Sequence, residues 1–105
     1  MYKRSDKVIT EFSRRVKLVL DNRLKKIILF GSRARGDYRT DSDYDFLIIT
    51  DRRDNNIKDN ILEICVDMLN KYDILVSFIL YDEKDWVNKK NFPIGLNIVK
   101  EGIEL

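Results

Sequence analysis

The chain contains no histidine, one cysteine and one proline among its 105 residues. Without histidine there is no His/Cys zinc site, no Ser-His-Asp triad and no imidazole base. The single cysteine, Cys65, excludes an internal disulfide, and its position on a helical apolar stripe predicts a small core side chain. Chemistry is therefore left to carboxylates, hydroxyls, Lys, Arg, Tyr, backbone groups and any metal that the carboxylates hold.

Long apolar runs are also missing: none approaches the roughly 20 residues that a membrane span needs, and Met1 is followed by charge rather than by a signal-peptide apolar region. We therefore expect a soluble, cytoplasmic protein. Hydrophobic residues make up 44% of the chain and glycine only four positions, which is typical of a folded protein. Since 105 residues are too few for two independent cores, we expect residues 1–105 to form a single domain.

Charge is unevenly distributed along the chain. Residues 1–40 hold twelve Lys/Arg and four Asp/Glu, whereas residues 41–105 hold eight and fourteen, so the net charge is only +2. A basic half and an acidic half suit a ligand that carries both phosphate and metal, although solvated faces would give the same count. No aromatic-interleaved motif accompanies the basic residues, so nucleic-acid binding is not indicated.

The apolar periodicity predicts a simple order of elements. Helices are expected over residues 5–20 and 57–69, buried strands over 26–30, 44–50 and 74–80, a short helix over 82–91 and a last helix from Pro93 to Gly102. Ser5 is a candidate N-cap for the first helix. Residues 31–40 are interpreted as a loop with one helical turn at most. The order α-β-loop-β-α-β-α predicts an α/β fold.

Two acidic side chains enter the second predicted strand. Residues 41–45 are Asp-Ser-Asp-Tyr-Asp, and side chains alternate along a strand, so Asp43 and Asp45 point the same way with α-carbons about 6.6 Å apart. Two carboxylates at that spacing can share one cation. Because the ligands are oxygens only, Mg²⁺ or Mn²⁺ is the expected ion, and Mg²⁺ is commonly shared between carboxylates and substrate phosphates.

A glycine loop directly follows the first predicted strand. Residues 31–36 are Gly-Ser-Arg-Ala-Arg-Gly, in which Gly31 lets backbone N–H groups approach a phosphate and Ser32 adds a hydroxyl donor. Arg33 and Arg35 either lie along a triphosphate or flank the loop, and the sequence does not decide between these. The loop is not a Walker A element, because Gly36 is followed by Asp-Tyr rather than by Lys and Ser/Thr.

Each motif alone is more often a plain turn or a solvated strand edge, but the ordered combination is specific. The two segments resemble the signature of the minimal nucleotidyltransferases of the polymerase β-like superfamily, and residues 97–103 also resemble the ending of its small stand-alone members. The resemblance implies a small mixed β-sheet with helices packed against it. It further implies Mg²⁺ or Mn²⁺ and transfer of a nucleoside monophosphate, expected to be AMP from ATP, to an acceptor hydroxyl.

The resemblance also assigns roles to residues. Gly31 and Ser32 would grip the triphosphate, with Arg35 and Ser42 in the same phosphate-binding set, while Asp43 and Asp45 would be the catalytic metal ligands. The family places a third carboxylate on a later strand, where this sequence has Ser77, a poor metal ligand and no base at neutral pH. Either Asp73 substitutes for that acid in an offset strand or the acid is missing, and absence is the favoured alternative.

Two functional hypotheses follow. The first is a nucleotidyltransferase whose acceptor surface comes from a partner, since stand-alone members of the resembled family often pair with a small helical HEPN protein in toxin–antitoxin systems. The second is a binding or antitoxin module of the same fold that has lost catalysis, for which the missing third carboxylate argues.

Overall fold

A computed structural model describes residues 6–105 as four strands and five α-helices. The helices are α1 (Lys7–Leu20), α2 (Ser32–Arg35), α3 (Asn55–Tyr72), α4 (Glu83–Lys89) and α5 (Pro93–Glu101), with a 3₁₀ turn at Asp21–Arg23. The strands are β1 (Leu24–Phe30), β2 (Tyr44–Thr50), β3 (Val76–Asp82) and β4 (Ile103–Glu104). Among these residues, no helix combines the length and apolarity needed to cross a bilayer.

The strands form one mixed sheet in the order β3-β2-β1-β4. β1 pairs antiparallel with both β2 and β4, whereas β2 pairs parallel with β3 through the crossover helix α3. The expected small mixed sheet with helices packed against it is therefore confirmed. The register sets Phe30 of β1 and Ser77 of β3 on either side of Asp45 of β2.

The helices cover the sheet on both faces. One face packs on the apolar stripes of α1 and α3, whose centre is Phe12 stacked on Phe46 with ring centroids 4.3 Å apart. The opposite face packs on α4 and α5 through Trp86 and Ile98. Because side chains alternate along β2, Phe46 points to the α1/α3 face and Asp45 points to the α4/α5 face.

The cap of α1 differs from the expected one. Ser5 lies outside the described residues, and the Asp6 carboxylate accepts hydrogen bonds from the backbone N–H groups of Val8 and Ile9 at 3.0 and 3.1 Å. The other oxygen of Asp6 accepts a hydrogen bond from the Tyr44 hydroxyl at 2.8 Å. The cap therefore also ties α1 to the start of β2.

The third strand is shifted from its predicted bounds. α3 continues to Tyr72, and Asp73 ends it in the left-handed conformation with φ 53°. Strand geometry consequently begins at Val76 rather than at residue 74 and extends to Asp82. The short strand β4 was not predicted from the sequence, because two residues carry too little periodicity to distinguish a strand from a loop.

The packing of Cys65 matches the sequence expectation, and the surface shows a pairing of charges that was not predicted. Cys65 lies half-buried against the α1/α3 core, and burial raises the pKa of its thiol to about 11. A thiolate is therefore scarce at neutral pH, as expected for a packing residue. On the surface, part of the basic first half is paired with the acidic second half: Arg15 lies 2.8 Å from Asp67, and Arg23 lies 2.9 Å from Asp54.

Candidate functional site

The candidate site lies where three strand ends meet. β1 ends at Phe30, next to the start of its antiparallel neighbour β2, and the parallel strand β3 begins at the same end of the sheet. The glycine loop leaves β1 there, and the two acids precede and enter β2 there. The fold thus brings together the two motifs that the sequence presents separately.

Gly31 and Asp45 are in direct contact. Gly31 has φ 76° and ψ −161°, a conformation that is essentially restricted to glycine. A Cβ added at Gly31 would lie 2.5 Å from Oδ2 of Asp45, closer than real side chains approach. The Asp45 carboxylate therefore occupies the space that a side chain at position 31 would need.

The loop after Gly31 turns at once into α2, the single helical turn allowed by the sequence. The N–H groups of Ala34 and Arg35 donate to the Gly31 carbonyl at 3.1 and 3.0 Å, and Gly36 ends the turn with φ 92°. The backbone N–H groups at the start of such a turn have no acceptor within the helix. The Ser32 backbone and hydroxyl donors thus begin the turn beside the acidic pair.

Asp43 and Asp45 interact electrostatically. Asp43 is exposed and immediately precedes β2, whereas Asp45 is half-buried. Burial raises the pKa of Asp45, the nearby Asp43 carboxylate raises it further, and the Arg35 guanidinium opposes the shift. Two carboxylates that repel each other in this way would both gain from a shared cation.

The donor set fits a magnesium ion. Within residues 6–105 there is no group of three His, Cys, Asp or Glu side chains placed to hold a metal. Mg²⁺, however, is usually bound by one or two carboxylates and completes its octahedron with water and substrate phosphates. The pair of acids beside exposed backbone donors is therefore compatible with Mg²⁺ shared with a phosphate ligand.

The third-acid position is occupied by Ser77. The parallel register pairs Asp45 directly with Ser77, and both side chains point to the α4/α5 face. Asp73 instead forms the exposed C-cap of α3, where its N–H donates to the Leu69 carbonyl at 2.9 Å. The structure therefore does not bring Asp73 to the acidic pair. It gives no support to the alternative in which Asp73 replaces the third acid from an offset strand.

Arg33 stabilises the loop that precedes β2, whereas the sequence left undecided whether it lies along a triphosphate or flanks the loop. We call the contacts that it makes there the Arg33 brace. Its buried guanidinium donates to the carbonyls of Thr40 and Ser42 at 3.2 and 3.0 Å. It also lies between the rings of Tyr38 and Tyr44, at 4.4 and 4.2 Å from their centroids. Two tyrosines flanking the acidic segment were the only sequence signal for this arrangement. Arg33 thus holds the loop that delivers Asp43 and is not exposed to a ligand.

Arg35 and Ser42 are engaged within the protein. The Arg35 guanidinium donates to Asp37 at 3.3 Å and to both carboxylate oxygens of Glu101 at 3.2 Å, and these two partners raise its pKa. The Ser42 hydroxyl accepts the backbone N–H of Arg39 at 2.8 Å. Both residues shape the loop, and Glu101 is a residue of the site that the sequence analysis did not identify.

A separate groove of about 770 Å³ lies between α3 and the outer strand β3. It is lined by side chains of α3 and its N-terminal loop, among them Arg53, Lys58 and Cys65, together with residues of β3. Neither acid of the pair nor the glycine loop lines it. Ser77 does line it, so the groove adjoins the candidate site at this residue without including the acidic pair.

Comparison with known proteins places the chain in a family. Residues 5–96 match the model of the nucleotidyltransferase domain. A candidate protein adenylyltransferase of Methanocaldococcus jannaschii, MJ0604, is 38% identical over 97 residues, which cover 92% of this chain and 93% of that protein. A second one, MJ0141 of the same organism, is 41% identical over 75 residues, which cover 70% and 76%.

Solved structures agree with this assignment. A structure described as a nucleotidyltransferase candidate from Sulfolobus solfataricus is 27% identical with a TM-score of 0.53, and the match covers 93% of this chain and 76% of that one. A toxin–antitoxin structure with AMP-PNP has a TM-score of 0.57 over 90% and 69% of the two chains; at 22% identity, this likeness shows the fold alone. The chain belongs to the nucleotidyltransferase domain family.

We predict that Arg33→Ala lowers the free energy of unfolding by about 3 kcal/mol, because two carbonyls lose a charged donor and two rings lose their stacked cation. Arg33→Lys should recover little of this, since an ammonium cannot replace a planar donor between two rings. Urea unfolding measures both, with the exposed Arg52→Ala as control. A loss no larger than that of Arg52→Ala would contradict the brace.

Gly31→Ala should lower the free energy of unfolding by about 2–3 kcal/mol, through backbone strain and through the clash with Asp45. In an Asp45→Ala background the clash disappears and only the strain remains. Urea unfolding of the four proteins therefore should give a double-mutant cycle with a coupling of about 1 kcal/mol. Strictly additive losses would mean that Gly31 and Asp45 are not in contact.

Proposed function

We propose that this chain transfers AMP from ATP to a hydroxyl group of a protein, with Mg²⁺ or Mn²⁺ as cofactor. The observation that carries the proposal is the contact between Gly31 and Asp45, which joins an anion-binding turn to an acidic metal ligand. Support for the reaction class comes from family membership. Support for a protein acceptor comes from the two M. jannaschii relatives, which are named as candidate protein adenylyltransferases.

In this proposal the turn binds the triphosphate. The backbone at Gly31 and the backbone and hydroxyl donors of Ser32 approach phosphate oxygens without a side chain in the way. Arg35 and Ser42, expected from the resemblance to bind phosphate, contribute indirectly by holding the loop, because their polar groups already have partners within the protein.

Asp43 and Asp45 hold the metal in this proposal. The bound ion supplies charge neutralisation on the phosphates and orientation of the α-phosphate for in-line attack. The acceptor oxygen forms a bond to the α-phosphorus, the bond to the bridging oxygen of pyrophosphate breaks, and the hydroxyl proton passes to water. Ser77 lies beside Asp45 but is no base at neutral pH, so residues 6–105 place no third carboxylate with the acidic pair to take that proton.

We place the acceptor on a partner protein. Helices α4 and α5 cover the sheet face to which Asp45 points, and they expose the apolar side chains of Val87, Phe92, Leu96 and Val99. An apolar surface next to a site is typical of a protein-binding region. Stand-alone members of the resembled family often pair with a small helical HEPN protein, and we propose a partner of that kind here.

A second candidate function is a nucleotide-binding or antitoxin module of this fold without turnover. The register that puts Ser77 beside Asp45 favours it, because the third acid of the family's site is replaced by a hydroxyl. Both candidates bind ATP with Mg²⁺, so binding alone does not separate them.

We expect transfer of label from α-³²P-ATP to a protein that co-purifies with the chain, in the presence of Mg²⁺ or Mn²⁺. Asp45→Asn should reduce this transfer at least about a hundredfold, since a charged metal ligand is lost. It should leave the fold intact, because it removes a half-buried charge that Asp43 repels. The matched control is Asp41→Asn, an exposed acid of the same loop. No labelled product with either metal would reject the transferase and leave the binding module.

Ser77→Asp tests the second candidate directly. The register puts the new carboxylate next to Asp45, where it adds a metal ligand and a base for the acceptor hydroxyl. We expect label transfer to rise about tenfold or more, which is below the roughly 10²–10⁴-fold gain of a fully positioned general base, because the new side chain is not held by neighbours selected for it. Thr40→Asp places the same charge at an exposed position of the loop and serves as control. Transfer that falls in Ser77→Asp would show that this position does not face the reacting groups.

A further inference from the structure

Glu101 is fixed beside the glycine loop by the C-terminal end of the sheet. It is the last residue of α5, and β4 follows it after Gly102. The antiparallel register pairs Ile28 with Glu104 and Leu29 with Ile103, so its continuation places Glu101 across from Gly31. The position of this carboxylate is therefore set by strand pairing and not by a flexible tail.

The Glu101 carboxylate bridges the two ends of the loop turn. Its Oε1 accepts the backbone N–H of Gly31 at 3.2 Å, and Nη1 of Arg35 donates to both carboxylate oxygens at 3.2 Å. The side chain is only 22% exposed, so these bonds are less screened than those of a surface ion pair. One anion thus fixes the first residue of the turn and the last residue of α2.

Glu101 reaches Gly31 from the side of β1 that faces β4. The Leu105 N–H donates to the Ile27 carbonyl at 2.8 Å, so the backbone groups of every second residue from Ile27 onward point toward β4. The Gly31 N–H follows this alternation and ends on Glu101. Asp45 belongs to β2, on the other side of β1. Glu101 and a phosphate ligand near Asp45 therefore approach the turn from different sides.

The turn needs such a support. Glycine adopts several backbone conformations readily, and in the conformation of this structure the Asp45 carboxylate lies where a Cβ of residue 31 would be. The support itself is tightly packed, because a Cβ on Gly102 would lie 2.4 Å from the Ile98 carbonyl oxygen and 2.6 Å from Cγ2 of Ile28. The tightly packed segment thus positions the Glu101 carboxylate, which in turn holds the flexible Gly31 backbone.

We propose that Glu101 is a positioning residue for nucleotide binding: by holding the Gly31 N–H and Arg35, it keeps the turn in the conformation that receives the triphosphate. The proposal rests on the function proposed above. It also gives Arg35 a role through Glu101, since its guanidinium donates to the carboxylates of Asp37 and Glu101.

The experiment compares Glu101→Ala and Glu101→Gln with wild type, with Glu104→Gln as control. Glu104 is an exposed acid of the same C-terminal segment, and its only ion pair in the described chain is a 3.8 Å contact with Lys26. Isothermal titration with ATP and Mg²⁺ measures affinity. Hydrogen exchange measures protection of the Gly31 amide, with the Ile48 amide of the central strand β2 as an internal reference. Thermal unfolding checks that each variant is folded.

We expect Glu101→Ala to weaken the affinity for ATP with Mg²⁺ about tenfold, the effect of losing charge-assisted hydrogen bonds. Exchange at Gly31 should accelerate about tenfold while Ile48 is unchanged. Glu101→Gln keeps an acceptor for the Gly31 N–H but loses the negative charge that pairs with Arg35. Its affinity for ATP should therefore lie between those of wild type and Glu101→Ala. Glu104→Gln should match wild type. If Glu101→Ala does not fold, the isosteric Glu101→Gln carries the comparison.

Unchanged affinity and unchanged Gly31 exchange in Glu101→Ala would overturn the proposal. Tighter binding in this variant would overturn it as well, since Glu101 would then compete with the phosphates instead of supporting their site. If wild type itself does not bind ATP with Mg²⁺, the proposed function fails. The Gly31 exchange in Glu101→Ala then still decides whether Glu101 holds the turn.

Discussion

The arrangement of the site depends on one contact, that of Gly31 with the Asp45 carboxylate. Since Gly31 directly follows β1 and Asp45 lies in the neighbouring antiparallel strand β2, the contact joins the end of β1 to the start of β2. Any larger residue at Gly31 would occupy the volume of the carboxylate and require a rare backbone conformation as well. The absence of one side chain is therefore what allows the glycine turn and the acidic pair to lie side by side.

The surrounding residues hold that contact from two directions. On one side, Asp6 caps α1 and binds the Tyr44 hydroxyl, and Tyr44 stacks on the buried Arg33 that braces the acidic loop. On the other side, Glu101 binds Gly31 and Arg35 from the C-terminal strand pair. Chain segments far apart in sequence thus meet at the site, which explains how a loop with two left-handed glycines keeps a defined shape.

Local signals in the sequence were sufficient to predict the three longer strands, the main helices and the two motifs. The alternation that predicts Asp43 and Asp45 on one side, and the glycines that predict the turn, act over a few residues. The brace by Arg33, the strand β4 and the carboxylate of Glu101 could not be predicted. The strand β4 and the contact of Glu101 with Gly31 depend on segments 70 or more positions apart. The Arg33 hydrogen bonds span only 7 and 9 positions, but they cross an irregular loop that has no periodic pattern. The bounds of β3 also differ from the prediction, because α3 extends beyond its apolar stripe to Tyr72 and ends at the C-cap Asp73.

We propose that Asp43, Asp45 and the glycine turn form one site, which binds a nucleotide through a metal ion. Isothermal titration of the wild-type protein with ATP, in excess Mg²⁺ and again in excess EDTA, tests it most directly. Without the cation, Asp43 and Asp45 repel the phosphates, so we expect the affinity to fall at least about tenfold in EDTA. Equal affinity under both conditions, or no binding under either, would contradict the claim.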